Sequence, residues 1–267
     1  MRCAVLGDPI AHSLSPVLHR AGYAATGLSW EYDARRVAAG GLADFVAGLD
    51  GSWRGLSLTM PLKREAVGLV DTLADTARQA GAANTLVLDG SVRGENTDVP
   101  GAAAALAERD VAARGATILG GGATATSVGL ALAGRGVEEI RVLVRDPARA
   151  TETLERLAGA GVAAVEVADL ATEAVTGDLV VSTIPAAAQD DDLVSRCADV
   201  PAVFEVVYAP WPTPLAAAAL RQRQVLVSGL DLLVHQAALQ FELFTGLPAP
   251  VAALRAAGEQ ALSERSA

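Results

Sequence analysis

The sequence predicts an α/β protein whose central part is a doubly wound parallel sheet. Three observations carry this. Ala116–Leu119, Gly120-Gly121-Gly122-Ala123-Thr124-Ala125 and Thr126–Ala133 read as a buried strand, a glycine turn and a helix. Gly120, Gly122 and Ala125 fill the G-x-G-x-x-G/A spacing of a dinucleotide-binding turn. From about Gly101 to Ser228 strands and helices alternate regularly, over a length ordinary for one domain. Before that segment, polar residues recur where strands end (Ser13, Thr59, Asn84 and Asp98), and in an open α/β sheet ligands bind at that edge.

The 267 residues admit one large domain or two of ordinary size. A hydrophobic content of 51% is ample for a packed core and excludes a disordered chain. The net charge of −10 argues against a nucleic-acid partner, so an anionic ligand must be held by local cations. Cys3 and Cys197 suit neither a disulfide framework nor a zinc cluster and read as small buried hydrophobes. No signal-peptide pattern opens the sequence, and no apolar run nears the roughly 18 residues of a membrane helix. The expectation is a cytoplasmic protein with no membrane partner and no metal.

Cys3–Leu6 is a short apolar strand ending at Gly7-Asp8-Pro9. Ser15-Pro16 then reads as a helix N-cap with a first-turn proline. Ser13 points its hydroxyl to the same side, and two hydroxyls at a helix N-terminus suit a small carboxylate. His12 and His19 lack partners at ligand spacing and read as structural. Strands follow at 30–37 and 55–59, with a helix at 41–49 between them, and a helix at about 61–70 opens on Pro61. Lys63 lies at the start of that helix, either solvated or with a pKa lowered for proton transfer. A helix over 74–80 is capped by Gly81, and a hairpin pairs 86–88 with 92–95 through Asp89-Gly90. Asp98 reads as the N-cap of the next helix.

In the central segment, strands are expected at 116–119, 139–144, 162–167, 178–182, 202–207 and 224–227. Anionic phosphate would meet the unpaired amides of the Gly120–Thr124 turn. Arg145 and Arg149, at the end of the second strand, suit the 2′-phosphate of NADP, whereas Asp146 either favours NAD or caps the following helix. Glu205-Val206-Val207-Tyr208 ends the fifth strand, at the same edge. A helix over 230–244 carries Gln236 among apolar positions, as a core glutamine or a ligand contact. A last surface helix ends the chain.

Several motifs together resemble the shikimate dehydrogenase family over nearly the full length. They are Gly7-Asp8-Pro9-Ile10-Ala11-His12-Ser13-Leu14-Ser15-Pro16, Leu58-Thr59-Met60-Pro61-Leu62-Lys63, Gly81-Ala82-Ala83-Asn84-Thr85, Asn96-Thr97-Asp98 and Gly229-Leu230-Asp231-Leu232-Leu233-Val234-His235-Gln236. The resemblance implies a mixed α/β substrate domain, residues 1–100, completed by C-terminal helices in 229–267. Residues 101–228 would be the inserted Rossmann-like NADP domain. It also implies that Ser13 and Ser15 hold a substrate carboxylate, and that Thr59, Asn84, Asp98, Tyr208 and Gln236 contact the rest of the ring. Lys63 and Asp98 would be the catalytic pair. Gly120, Gly121, Gly122, Ala123, Thr124, Arg145, Arg149, Val206, Gly229 and Asp75 would line the NADP site.

The implied reaction is reduction of 3-dehydroshikimate to shikimate by NADPH, with Lys63 giving the proton, in a monomer or homodimer. Ser57, Val99 and Val144-Arg145-Asp146 depart from the family pattern, and the last bears on NADP against NAD. The rival readings are a quinate/shikimate dehydrogenase using NAD and a non-catalytic NADP-binding sensor.

Overall fold

The structure is a computed structural model describing residues 1–266, and it divides into two compact units. The first comprises Met1–Gly101 and the chain from Leu233 onward; the second is Ala102–Leu232.

In the first unit, β1 (Arg2–Gly7), β2 (Glu31–Arg36), β3 (Trp53–Leu58), β4 (Thr72–Leu73), β5 (Thr85–Leu88) and β6 (Val92–Glu95) form one sheet. Its order is β2-β1-β3-β5-β6-β4. β1 pairs in parallel with β2 and β3, whereas β5 runs antiparallel to β3 and β6. Alternation along β1 decides which face each side chain serves. Ala4 and Leu6 join Leu42, Leu56, Leu62 and Leu86 in one cluster. Cys3 and Val5 join Tyr23, Tyr32, Val87, Phe241 and Phe244 in another. The second cluster brings α1 (Ser15–Ala25) and the far half of α10 (Gly229–Thr245) onto the sheet. The C-terminal helix thus completes the N-terminal fold, and α11 (Val251–Ser266) lies against α1. Gly55 permits this: a Cβ there would lie 2.1 Å from the Phe244 ring.

One expectation changes here, and one strand was not foreseen. The helix expected over 61–70 is only α3 (Leu62–Glu65), followed by a 3-10 turn at Ala66–Gly68. The Lys63 carbonyl accepts the Ala83 amide at 2.8 Å instead of continuing a helical ladder. Glu65 is also diverted, its carboxylate accepting the Gly40 and Leu42 amides at the start of α2 (Leu42–Ala47). The short β4, which pairs with β6, carries too few residues to show periodicity. α4 (Asp75–Ala80) ends as expected, on left-handed Gly81.

In the second unit, β7 (Gly115–Leu119), β8 (Glu139–Val144), β9 (Ala164–Asp169), β10 (Leu179–Ser182), β11 (Ala202–Glu205) and β12 (Val225–Ser228) form an all-parallel sheet. The order β12-β11-β10-β7-β8-β9 reverses between β7 and β10, the topological switch point where such sheets take dinucleotides. Between strands run α6 (Ala123–Gly134), α7 (Thr151–Gly159), α8 (Asp191–Arg196) and α9 (Pro214–Gln222). The chain passes between the units inside helices, within α5 (Asp98–Glu108) and within α10.

Candidate active site

The first unit gathers its polar residues at the start of α5. Lys63 Nζ donates to Asp98 Oδ2 at 2.6 Å, and the side chains are only 14% and 7% exposed. The solvated lysine is therefore not what the chain builds. Asn84 Nδ2 donates to the other oxygen, Asp98 Oδ1, at 2.9 Å, to Thr97 Oγ1 at 2.9 Å, and lies 3.4 Å from Gln236 Oε1. Gln236 Nε2 donates to the Leu233 carbonyl at 3.0 Å, so its amide is oriented within α10. Lys63, Asn84, Asp98 and Gln236 thus form one cluster, from four separate stretches of chain.

Asp98 does not serve as the N-cap expected of it. Asn96 takes that work: its Oδ1 accepts the Asp98 amide at 3.0 Å and the Val99 amide at 3.1 Å. Asn96 Nδ2 is anchored on the Ala82 carbonyl at 2.9 Å. Those two amides, orphaned at the helix start, are thereby satisfied without the Asp98 carboxylate. With Asn96 in place, both oxygens of Asp98 are left for Lys63 and Asn84.

Ser15 is likewise not a cap. The cap position of α1 falls on Leu14, with no side-chain bond, and Ser15 is the first helical residue. Ser13 Oγ instead accepts the Ser15 amide at 3.3 Å. Thr59, half-buried at the end of β3, lies against Gly7, where a Cβ would sit 2.3 Å from Thr59 Cγ2. Asp75 also lies in this unit, its side chain 93% exposed at the start of α4 and 3.8 Å from Arg78.

The second unit carries the remaining expected residues. Gly120 has φ +107°, and a Cβ there would meet Thr183 Oγ1 at 2.4 Å, so only glycine fits beside the neighbouring strand end. Gly122 is the cap position of α6, with no side-chain bond and open space where a Cβ would point. Ala125 is buried, and Gly121, Ala123 and Thr124 are half-buried. The turn is held from below by Thr153, whose Oγ1 donates to the Gly121 carbonyl at 3.1 Å and lies 2.7 Å from Thr126 Oγ1. Arg145 and Arg149 are exposed after β8, where Asp146 Oδ1 accepts the Ala148 amide. Asp146 is therefore the cap of the following turn, one of its two expected roles.

Val206 and Tyr208 are half-buried after β11. A Cβ on Gly229 would lie 2.2 Å from the Val206 carbonyl oxygen, so close approach fixes glycine there.

Sequence reasoning missed the groups that hold these residues. Glu205 is fully buried; it accepts Gln189 Nε2 at 2.7 Å, Thr213 Oγ1 at 2.8 Å and the Val207 amide at 3.0 Å. Burial pushes its pKa up, against those bonds. The network ties the segment containing Val206 to Thr213, the N-cap of α9. The run Glu205-Val206-Val207-Tyr208 was visible at a strand end, but its acid reads there as one more polar residue.

Among the described residues no three His, Cys, Asp or Glu side chains gather as a metal site requires, and no helix is long and apolar enough to cross a membrane.

Three family models match this chain: the shikimate dehydrogenase substrate binding domain over residues 5–86, shikimate/quinate 5-dehydrogenase over 102–194, and the shikimate 5′-dehydrogenase C-terminal domain over 229–257. A shikimate dehydrogenase (NADP(+)) of Methylobacterium radiotolerans is 40% identical over 259 residues, covering 92% of this chain and 91% of its own. The crystal structure of Mycobacterium tuberculosis shikimate dehydrogenase superposes with a TM-score of 0.86 at 38% identity, covering 97% of this chain and 99% of its own. That of the Thermus thermophilus enzyme, in complex with NADP(H) and shikimate, gives 0.83 at 30% identity, covering 98% and 100%.

Proposed function

Because the chain belongs to the shikimate dehydrogenase family, we propose that it reduces 3-dehydroshikimate to shikimate, reversibly, with NADPH, using Lys63 and Asp98 as its catalytic pair. The observation that carries the residue roles is the short Lys63–Asp98 bond in a nearly closed corner. When bound, NADPH supplies the hydride. The ring oxygen then gathers negative charge and needs a proton. The Lys63 ammonium has one hydrogen committed to Asp98, which aims the others, and it gives one of these to that oxygen. Asp98 holds the ammonium in place and stays accepting because Asn84 and Lys63 both donate to it. In the oxidative direction Lys63 takes the proton back.

Ser13 and Ser15 bind the substrate carboxylate in this reading, while Thr59, Asn84, Asp98, Gln236 and Tyr208 hold the ring and its hydroxyls. For the cofactor, the switch-point turn fits a pyrophosphate: Gly120 makes the turn and Gly122 leaves the uncapped amides of α6 open. Arg145 and Arg149 take the 2′-phosphate, a role favoured by the commitment of Asp146 to the Ala148 amide. Val206 and Gly229 border the nicotinamide; Asp75 belongs at the cofactor edge.

The test is turnover of 3-dehydroshikimate and of 3-dehydroquinate, each with NADPH and NADH. The reading requires 3-dehydroshikimate with NADPH to be the best pair. Lys63→Ala should lower kcat by ~10²–10⁴-fold, the range of general acid catalysis, with little change in KM. Wild-type turnover in that variant removes Lys63 from the chemistry. NADPH binding without turnover in the parent protein makes the chain a sensor.

A further inference from the structure

Behind the catalytic corner lies a run of buried polar side chains that the reaction does not touch. Ser57 and Thr85 face each other across β3 and β5, and Gln240 of α10 lies over both. Backbone groups fix the direction of every bond in this run. Gln240 Nε2 lies 3.2 Å from the Asn84 carbonyl, an acceptor only, so the amide nitrogen must point there. The same nitrogen donates to Thr85 Oγ1 at 2.8 Å, which turns the threonine hydrogen outward, onto Asn84 Oδ1 at 2.9 Å. At the other end the Thr97 amide, a donor only, meets Asn84 Oδ1 at 2.8 Å. Asn84 must therefore present its NH₂ to Asp98. Upstream, Tyr32 donates to Ser57 Oγ at 2.5 Å, and Ser57 donates to Gln240 Oε1 at 2.7 Å. One directed chain runs Tyr32, Ser57, Gln240, Thr85, Asn84, Asp98.

We propose that Gln240 and Thr85 are positioning residues that lock the Asn84 amide, and through it the Asp98 carboxylate, in the orientation that serves Lys63. This rests on the Lys63–Asp98 reading above. Thr97 holds Asn84 from one side, through its amide and hydroxyl, and Thr85 holds Asn84 Oδ1 from the other, so with both in place the amide cannot tilt from Asp98 without breaking a buried bond. The arrangement also gives Ser57 a place: its hydroxyl is used up inside the chain, accepting from Tyr32 and donating to Gln240.

The experiment compares Thr85→Val, Thr85→Ser and Gln240→Met with the parent for thermal stability, for kcat and both KM values, and for the Asn84 side-chain NH₂ resonance. Thr85→Val should lower kcat roughly tenfold or more, as small misplacements in an active site do, leave the KM for NADPH unchanged, and move the Asn84 resonance. Gln240→Met should act in the same direction more weakly, because the threonine hydroxyl survives but loses its direction. Thr85→Ser should recover most of the loss. An unaltered kcat in Thr85→Val and Gln240→Met overturns the proposal even if both melt lower, since that is a packing role alone. Lys63→Ala and Asp98→Asn run in parallel: if they retain full turnover, the catalytic pair fails and this proposal with it. If they lose turnover while the Thr85 and Gln240 variants do not, only the positioning role fails.

Discussion

His19 shows what the interior demands of a single residue. It is fully buried, its ring stacked on Tyr32 at 4.1 Å, with Nε2 3.4 Å from Gln240 Oε1 and Nδ1 without a partner. Burial lowers its pKa to about 3 from 6.5. The folded state thus refuses a proton that the unfolded chain accepts, so its contribution to stability is full above 6.5 and is lost as pH falls towards 3. At about 1.4 kcal/mol per unit, acidifying from 6.5 to about 4.5 should remove up to ~3 kcal/mol through this side chain. His19→Phe, which keeps a ring against Tyr32, should flatten that part of the pH profile in urea unfolding. An equally steep profile in the variant would show that His19 does not titrate this way. The spacing of His19, with no ligand partner in reach along the chain, predicts a structural histidine, and its burial against Tyr32 agrees. The same reading could not see Ser57, Thr85 or Gln240 as a chain, since their meeting depends on strand register and on a helix remote in sequence.

At the scale of elements, the start of α5 decides where the catalytic carboxylate points. Asn96-Thr97-Asp98 offers three residues of capping type, and local pattern prefers Asp98 because the proline-containing helix follows it closely. Tertiary context chose Asn96, whose amide group also reaches the Ala82 carbonyl. Asn96→Ala should therefore cost about 1 kcal/mol as a lost cap and also lower kcat, because Asp98 becomes the nearest side chain able to satisfy the open amides. Turnover at the parent level, with only a lower melting temperature, would separate capping from catalysis. Glycine positions are a contrasting case. The strand, the turn and the helix around Gly120 were legible, since a positive φ beside a second strand admits little else. Gly229→Ala should raise the KM for NADPH by tenfold or more, because its Cβ cannot coexist with the Val206 carbonyl. An unchanged KM would mean that the Val206 segment does not border the cofactor. What remained hidden were the elements set by distant partners: the helix cut short at Glu65, and the strand at Thr72–Leu73.

On the scale of the whole molecule, each unit has its own sheet and its own apolar clusters, and the chain crosses between them only inside α5 and α10. The proposed substrate contacts, apart from Tyr208, belong to the first unit; the phosphate turn and the two arginines belong to the second. A ligand stabilises what it binds by mass action, about 2.7 kcal/mol at a hundredfold excess over its Kd. NADP⁺ alone should therefore slow amide exchange most in β7, β10 and β11, up to about a hundredfold for amides that exchange by opening of that unit. Shikimate alone should protect β3, β5 and the first turn of α5 instead. The net charge of −10 makes the cofactor half of this experiment sharper, because a repulsive overall field leaves the 2′-phosphate dependent on local cations. In Arg145→Ala combined with Arg149→Ala, protection by NADP⁺ should fall to the level given by NAD⁺. Protection by NADP⁺ that persists there undiminished would place the 2′-phosphate elsewhere. Protection appearing first in β3 and β5 would assign the cofactor to the wrong sheet and overturn the division of labour between the two units.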